Sequence, residues 1–148
     1  MAEFERLEAP EVTGYYDEAQ RIVFITYSET LTPDVSKLVY DWAARLAVDT
    51  EEVAKSRGSI YDFRPVKKFN LGNLAVVQQK STQLNRKDDF SNHAVALIVD
   101  SFYQESMVRT TMHVTPGQDR KRIVHSMEEA LAFVDSFHNK RRTSENKT

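Results

Sequence analysis

Six polar residues stand where the pattern of the chain turns from strand to helix: Asp62, Arg64, Asn70, Asp100, Ser101 and Ser126. Asn70, Ser101 and Ser126 each precede a helical pattern, and the free amides at a helix start favour anions. Asp62 and Arg64 close the β-favouring run Ile60-Tyr61-Asp62-Phe63. Pro65 stops that run, because proline cannot donate to a sheet ladder. Ser28 and Glu29 end an earlier apolar run and join the same group. In an α/β sheet, ligands bind in the crevice at the carboxyl ends of the parallel strands. The six are therefore expected to line a site for a small anionic or lipid-like ligand, or for a partner. The same residue types are also the usual helix caps, and Asp62 can pair with Arg64.

A hydrolase can be assembled on paper from Ser101, Asp100 and His125. It needs His125 in the crevice with an orienting carboxylate behind it. The Gly-x-Ser-x-Gly elbow that presents such a serine is absent from the sequence. His93, His113, His125 and His138 show no metal-ligand spacing. The four glycines are scattered singly, so there is no phosphate-cradling loop. With no cysteine, disulfides and thiolate chemistry are excluded. Neither enzyme activity, nor a metal, nor a cofactor is expected.

The elements that must position the six follow from periodicity. Residues 12–16 and 21–27 read as two strands split by the polar turn Asp17-Glu18-Ala19-Gln20, an antiparallel hairpin. The second is apolar on both faces from Ile22 to Ile25 and belongs inside the sheet. Thr32-Pro33 opens a first helix as N-cap and first helical residue. Its apolar stripe is Val35, Leu38, Val39, Trp42 and Leu46. Gly58 to Phe63 is a strand, and Asn70 starts a second helix with a thinner inner face of Leu71, Leu74, Val77 and Leu84. His93 to Val99 is a continuous apolar run, the signature of a buried parallel strand. Phe102 to Val114 reads as a helix with Tyr103, Met107, Thr110 and Val114 on one side, broken by Thr115-Pro116-Gly117. Arg122 to His125 is a short strand, and Ser126-Met127-Glu128-Glu129 is a capping box opening the last helix. The fold class is α/β: a mixed, mostly parallel sheet with an N-terminal antiparallel hairpin and four helices.

At 148 residues one domain is the prior. The division expected is a solvated lead-in over 1–11, a single domain over 12–138 and a disordered basic tail over 139–148. That tail carries Lys140, Arg141, Arg142 and Lys147 against Glu145. A net charge of -2 argues against a nucleic-acid-binding surface. The acidic start lacks the apolar core of a signal peptide, and no run reaches the roughly 20 residues of a membrane span. The expected location is the cytoplasm.

Four stretches together resemble a known family: Leu31-Thr32-Pro33, Tyr61-Asp62-Phe63-Arg64, Val95-Ala96-Leu97-Ile98-Val99-Asp100-Ser101, and Ile123 to Phe133. Their order is similar to that of the SpoIIAA-like STAS family, and more closely to its small bacterial STAS/SEC14-like members. The resemblance covers residues 12 to 137. It implies a SpoIIAA-like fold and a role in regulation or protein interaction rather than catalysis, with a homodimer or regulatory protein as partner. The SEC14-like half of the label implies a small-molecule or lipid-like ligand. The family's antagonists are switched by phosphorylation of a serine at the start of the helix after the third strand. That serine falls here on Leu71 or Gly72, neither of which can be phosphorylated, so the module is expected to lack the switch.

Overall fold

The computed structural model describes residues 4–49, 55–70, 72–87, 92–113, 115 and 118–145. Leu71, one of the two positions aligned with the switch serine, lies outside them, as do Asp88, Asp89, Pro116 and Gly117 of the loops read from the sequence.

The chain runs β1 (Leu7–Glu8), β2 (Val12–Asp17), β3 (Ile22–Tyr27), β4 (Thr30–Leu31), α1 (Pro33–Asp49), β5 (Gly58–Asp62), β6 (Lys68–Phe69), α2 (Asn73–Lys87), β7 (Ala94–Ile98), α3 (Phe102–His113), β8 (Lys121–Val124) and α4 (Met127–Glu145). The main sheet has the order β1-β2-β3-β5-β7-β8, and β4 pairs with β6 in a separate parallel ribbon. β1, β2 and β3 are antiparallel, and β3, β5, β7 and β8 are parallel. This is the mixed sheet with an antiparallel hairpin and four helices that the sequence predicts.

The order decides where the helices go. Each parallel strand is added on the same side of the last, and crossovers are right-handed. α1, α2 and α3 therefore share one face, and α4 covers the other. Strand parity records the division. Val23, Ile25, Tyr27, Val95, Leu97 and Val99 pack with Val35, Val39, Trp42 and Leu46 of α1 and Val108 of α3. Ile22, Phe24, Ile60, Ala94, Ala96 and Ile98 pack with Ala130 and Val134 of α4. The small side chains of Ala94, Ala96 and Ala130 let α4 lie close to the sheet. Gly58 is needed for a tighter approach still: a Cβ there would sit 2.5 Å from the Ala94 carbonyl oxygen of the neighbouring strand.

Four sequence expectations need correction. The lead-in is not wholly solvated. Leu7 is buried, Phe4 meets Tyr16 edge-on at 4.9 Å between ring centres, and the Trp42 indole donates to the Glu5 carbonyl at 2.9 Å. β1 thus becomes the sheet edge in place of β2. Leu38 lies on the flank of the α1 stripe and is exposed. α3 turns Gln104 and Val108 inward, one helical turn apart, and leaves Tyr103 half outside. The basic tail is helical through Glu145 rather than disordered from residue 139.

Candidate functional site

The six residues singled out above fall into three settings. Asp62 and Arg64 form a bidentate pair: Arg64 Nε donates to Asp62 Oδ1 at 2.9 Å and Nη2 to Oδ2 at 2.8 Å. The Arg64 amide adds a bond of 3.0 Å to Oδ1. Asp100 and Ser101 are joined to this pair by Gln104, which the sequence reading passes over. The Gln104 side chain is buried. Its Nε2 donates to the carbonyls of Arg64 and Val66, each at 2.9 Å, and its Oε1 accepts from the Asp100 amide at 2.8 Å. Ser101 Oγ caps α3 through the Gln104 amide at 3.1 Å. Asn70 accepts from the Gly72 amide at 2.9 Å, an Asx turn leading into α2. Ser126 caps α4 through the Glu129 amide, while Glu129 reaches back to the His125 amide. His125 turns its Nε2 to Glu105 at 3.2 Å rather than to Ser101.

A cavity of about 140 Å³ lies elsewhere, on the sheet face beneath α1, α2 and α3. Parity separates the two places. Ser59, Tyr61 and Phe63 line the cavity, and Asp62 between them points to the opposite side. The cavity exists because α2 cannot fill its share of the interior. Where α1 presents Val39, Trp42 and Leu46, α2 presents Asn73, Val77 and Ser81, and it leans on α1 rather than on the strands. Lys80 and Asp41 tie the two helices at 3.1 Å.

The walls are apolar, with Ile25, Leu31, Val77, Val95 and Leu97 among them. Three phenols, Tyr27, Tyr40 and Tyr61, also face it. Burial is the first cause that raises all three, Tyr61 to about 12, so each stays a neutral hydroxyl. Among the described residues no hydrogen-bond partner meets these hydroxyls. At the end where the strands finish, Asn73 is buried and its side-chain oxygen has no partner among the described residues.

The end where β5, β7 and β8 begin is polar. His93 is held between Ser56 Oγ on Nδ1 at 2.9 Å and Ser59 Oγ on Nε2 at 2.7 Å. Burial, and then the charge of Arg120, push its pKa down to about 4, so the ring is neutral at pH 7. Arg120 is buried and donates to the His93 carbonyl at 2.9 Å. Lys121 donates to Thr115 Oγ1, and burial followed by Arg120 lowers its pKa to about 8. The arrangement suits an amphipathic guest: an apolar body along the sheet and polar contacts at both ends. Two signals in the sequence point to it. Ser59 falls on the same strand face as Tyr61 and Phe63, and Asn73, Val77 and Ser81 repeat at helical spacing. Among the described residues no cluster of metal-binding side chains is present and no helix is long and apolar enough to cross a membrane.

No protein-family model matches the sequence, and no curated protein matches it. Solved structures do. One is an anti-sigma factor antagonist from Mycobacterium paratuberculosis, at 11% identity and a TM-score of 0.54, with 87% of this chain and 99% of that one covered. Another is an uncharacterized protein of the DUF3478 family with a SpoIIAA-like fold from Shewanella loihica PV-4. There the identity is 15% and the TM-score 0.52, over 90% of this chain and 98% of that one. At this level of identity the likeness establishes the fold.

Proposed function

From the SpoIIAA-like fold of this chain, we propose a non-enzymatic regulatory module that holds a small amphipathic molecule between its sheet and α2. The observation that carries this reading is the Asn73 side-chain oxygen, buried in the cavity lining and without a donor among the described residues. A buried acceptor without a partner costs stability, and such groups concentrate where a ligand supplies the missing bond. The three unpartnered tyrosine hydroxyls extend the same argument. Native mass spectrometry of gently purified protein is expected to show a co-purified organic mass. Thermal-shift screening with small amphiphiles is expected to raise Tm by several degrees. A chain carrying only its own mass, and unmoved by every amphiphile tested, overturns the reading.

The regulatory half of the proposal draws on the structure described as an anti-sigma factor antagonist, a protein named for acting on another protein. Here the partner-facing edge is the carboxyl end of the strands. Phe102 is 84% exposed there, beside the Asp62, Arg64, Asp100 and Ser101 group, with Asn70 and Ser126 capping the helices that begin at that edge. Crosslinking pull-downs with wild type and Phe102→Ser test it. Loss of a retrieved partner in the variant at unchanged Tm supports the edge; a monomer that retrieves no partner counts against it. The contact would not be switched by phosphorylation there, since Leu71 and Gly72, on which the family's switch serine falls, have no hydroxyl to modify.

A further inference from the structure

Resting on that ligand-binding reading, we propose that the guest is an amphipathic anion. Its charged group lies against Lys121, at the edge where β5, β7 and β8 begin, and its apolar body runs along the sheet toward Asn73.

The strand register places Lys121 beside Val95, at the mouth of β8 on the cavity side. Its ammonium has three donors, and Thr115 Oγ1 takes one. No carboxylate among the described residues forms an ion pair with Lys121. A largely buried cation without a counter-charge is costly, and an anion delivered by a ligand removes that cost. Arg120, the preceding residue, adds positive potential at the same place. Of the titratable groups that share the cavity lining with Lys121 and Arg120, His93 is neutral at pH 7 and Tyr27, Tyr40 and Tyr61 stay neutral phenols, so no described lining residue repels an anion. Lys121 is itself shifted down to about 8 by burial, the expected mark of a cation lacking its partner. Ser59 and Phe63 both line the cavity four residues apart on one strand, so the body has a track of about 13 Å. The far end offers an acceptor, not a cation, which fixes the direction in which the guest lies.

The test is calorimetric titration of the full chain with octanoate, octyl phosphate and 1-octanol, using wild type, Lys121→Met and Lys121→Arg. Octanoate or octyl phosphate is expected to bind at least about tenfold more tightly than 1-octanol. The better of the two identifies the charged group as carboxylate or phosphate. Lys121→Met is expected to lose that advantage while binding 1-octanol unchanged, and Lys121→Arg to keep it. Because an anion draws Lys121 back to its protonated form, anion affinity is expected to fall about tenfold per pH unit above pH 8, with 1-octanol unaffected. If 1-octanol binds as tightly as the anions, or Lys121→Met leaves octanoate unchanged, the anion assignment is overturned while the cavity reading stands. If none of the three probes binds, both are overturned.

Discussion

The polar cluster at the carboxyl end of the strands and the cavity on the sheet face are built on opposite principles. At the carboxyl end, the polar groups complete one another: Asp62 takes Arg64 in a bidentate grip, and Gln104 satisfies two carbonyls and an amide. In the cavity on the other side of the sheet, Lys121, Asn73 and three tyrosine hydroxyls have few or no partners among the described residues. Polar residues gathered at a strand end mark a binding site only if something is left for a ligand to satisfy. At the carboxyl end Asp62, Arg64 and Gln104 join loop, strand and helix whatever partner meets that edge, and the cavity is where polar groups are left open.

The sharpest way to break this contrast is at Gln104. Replacing it by Leu removes the donor to Arg64 and Val66 and the acceptor for Asp100, leaving three backbone groups short of a partner. The loss is expected to be about 4 kcal/mol, read from urea denaturation at constant m-value. Octanoate affinity per folded molecule is expected to be unchanged. A loss below about 1 kcal/mol would mean that the joint is not structural and that its residues are free to serve a ligand.

His93 offers the next largest effect, on the cavity side. Its folded pKa, about 4, lies below the ordinary imidazole value of 6.5, so the unfolded chain takes up the proton first. Stability is intact above pH 6.5 and is lost as the pH falls toward 4. The loss due to this ring is expected to be about 2 kcal/mol, after allowance for its partial exposure. His93→Asn is expected to flatten that part of the stability-pH curve. An unchanged slope would show that the imidazole is not held neutral between Ser56 and Ser59.

These differences follow the limits of reading by local pattern. The run Ala94 to Ile98 is apolar at every position because both faces are covered, and periodicity announces it. The Ser126–Glu129 capping box and the Thr32 cap, whose Oγ1 accepts from the Val35 amide at 3.3 Å, are fixed by neighbours within one turn. What escapes is set by distant partners. β1 and the β4–β6 ribbon have two residues per strand, too few to show a period. Gln104 looks like any exposed glutamine until α3 is rotated onto the sheet. The cavity belongs to no element: it is the space between a strand bearing Ser59 and Tyr61 and a helix bearing Asn73 and Ser81, far apart in the chain. The polar strand ends were legible for the same reason that they mislead as a guide to the cavity, since caps and short-range ion pairs are local chemistry.

The two remaining effects sharpen the contrast by reversing the usual sign of a substitution. Lys121 has a folded pKa of about 8, below its ordinary 10.5, so its protonated form is disfavoured in the folded chain. Below pH 8 the penalty is fully present; between 8 and 10.5 the unfolded chain binds more protons and stability rises with pH. Lys121→Met is therefore expected to stabilise the protein at pH 7 by about 2 kcal/mol, with the gain gone above pH 10.5.

Asn73→Leu carries the same logic with a smaller magnitude. It deletes the unmatched buried oxygen and puts apolar volume into the space that α2 leaves open. The Asx turn before the helix is kept, because Asn70 supplies it. The expected gain is about 1 kcal/mol, measured as a higher urea midpoint, together with loss of octanoate binding because the far end of the track is filled. A residue kept for packing destabilises when removed; a residue kept for a ligand stabilises the empty protein when removed and abolishes binding. If Asn73→Leu lowers the midpoint and leaves binding intact, the oxygen is a packing defect of α2 and the cavity is merely unfilled space. If it raises the midpoint and abolishes binding, the gap under α2 is retained at a cost in stability, and the carboxyl-end joint is the part of the molecule that makes that cost bearable.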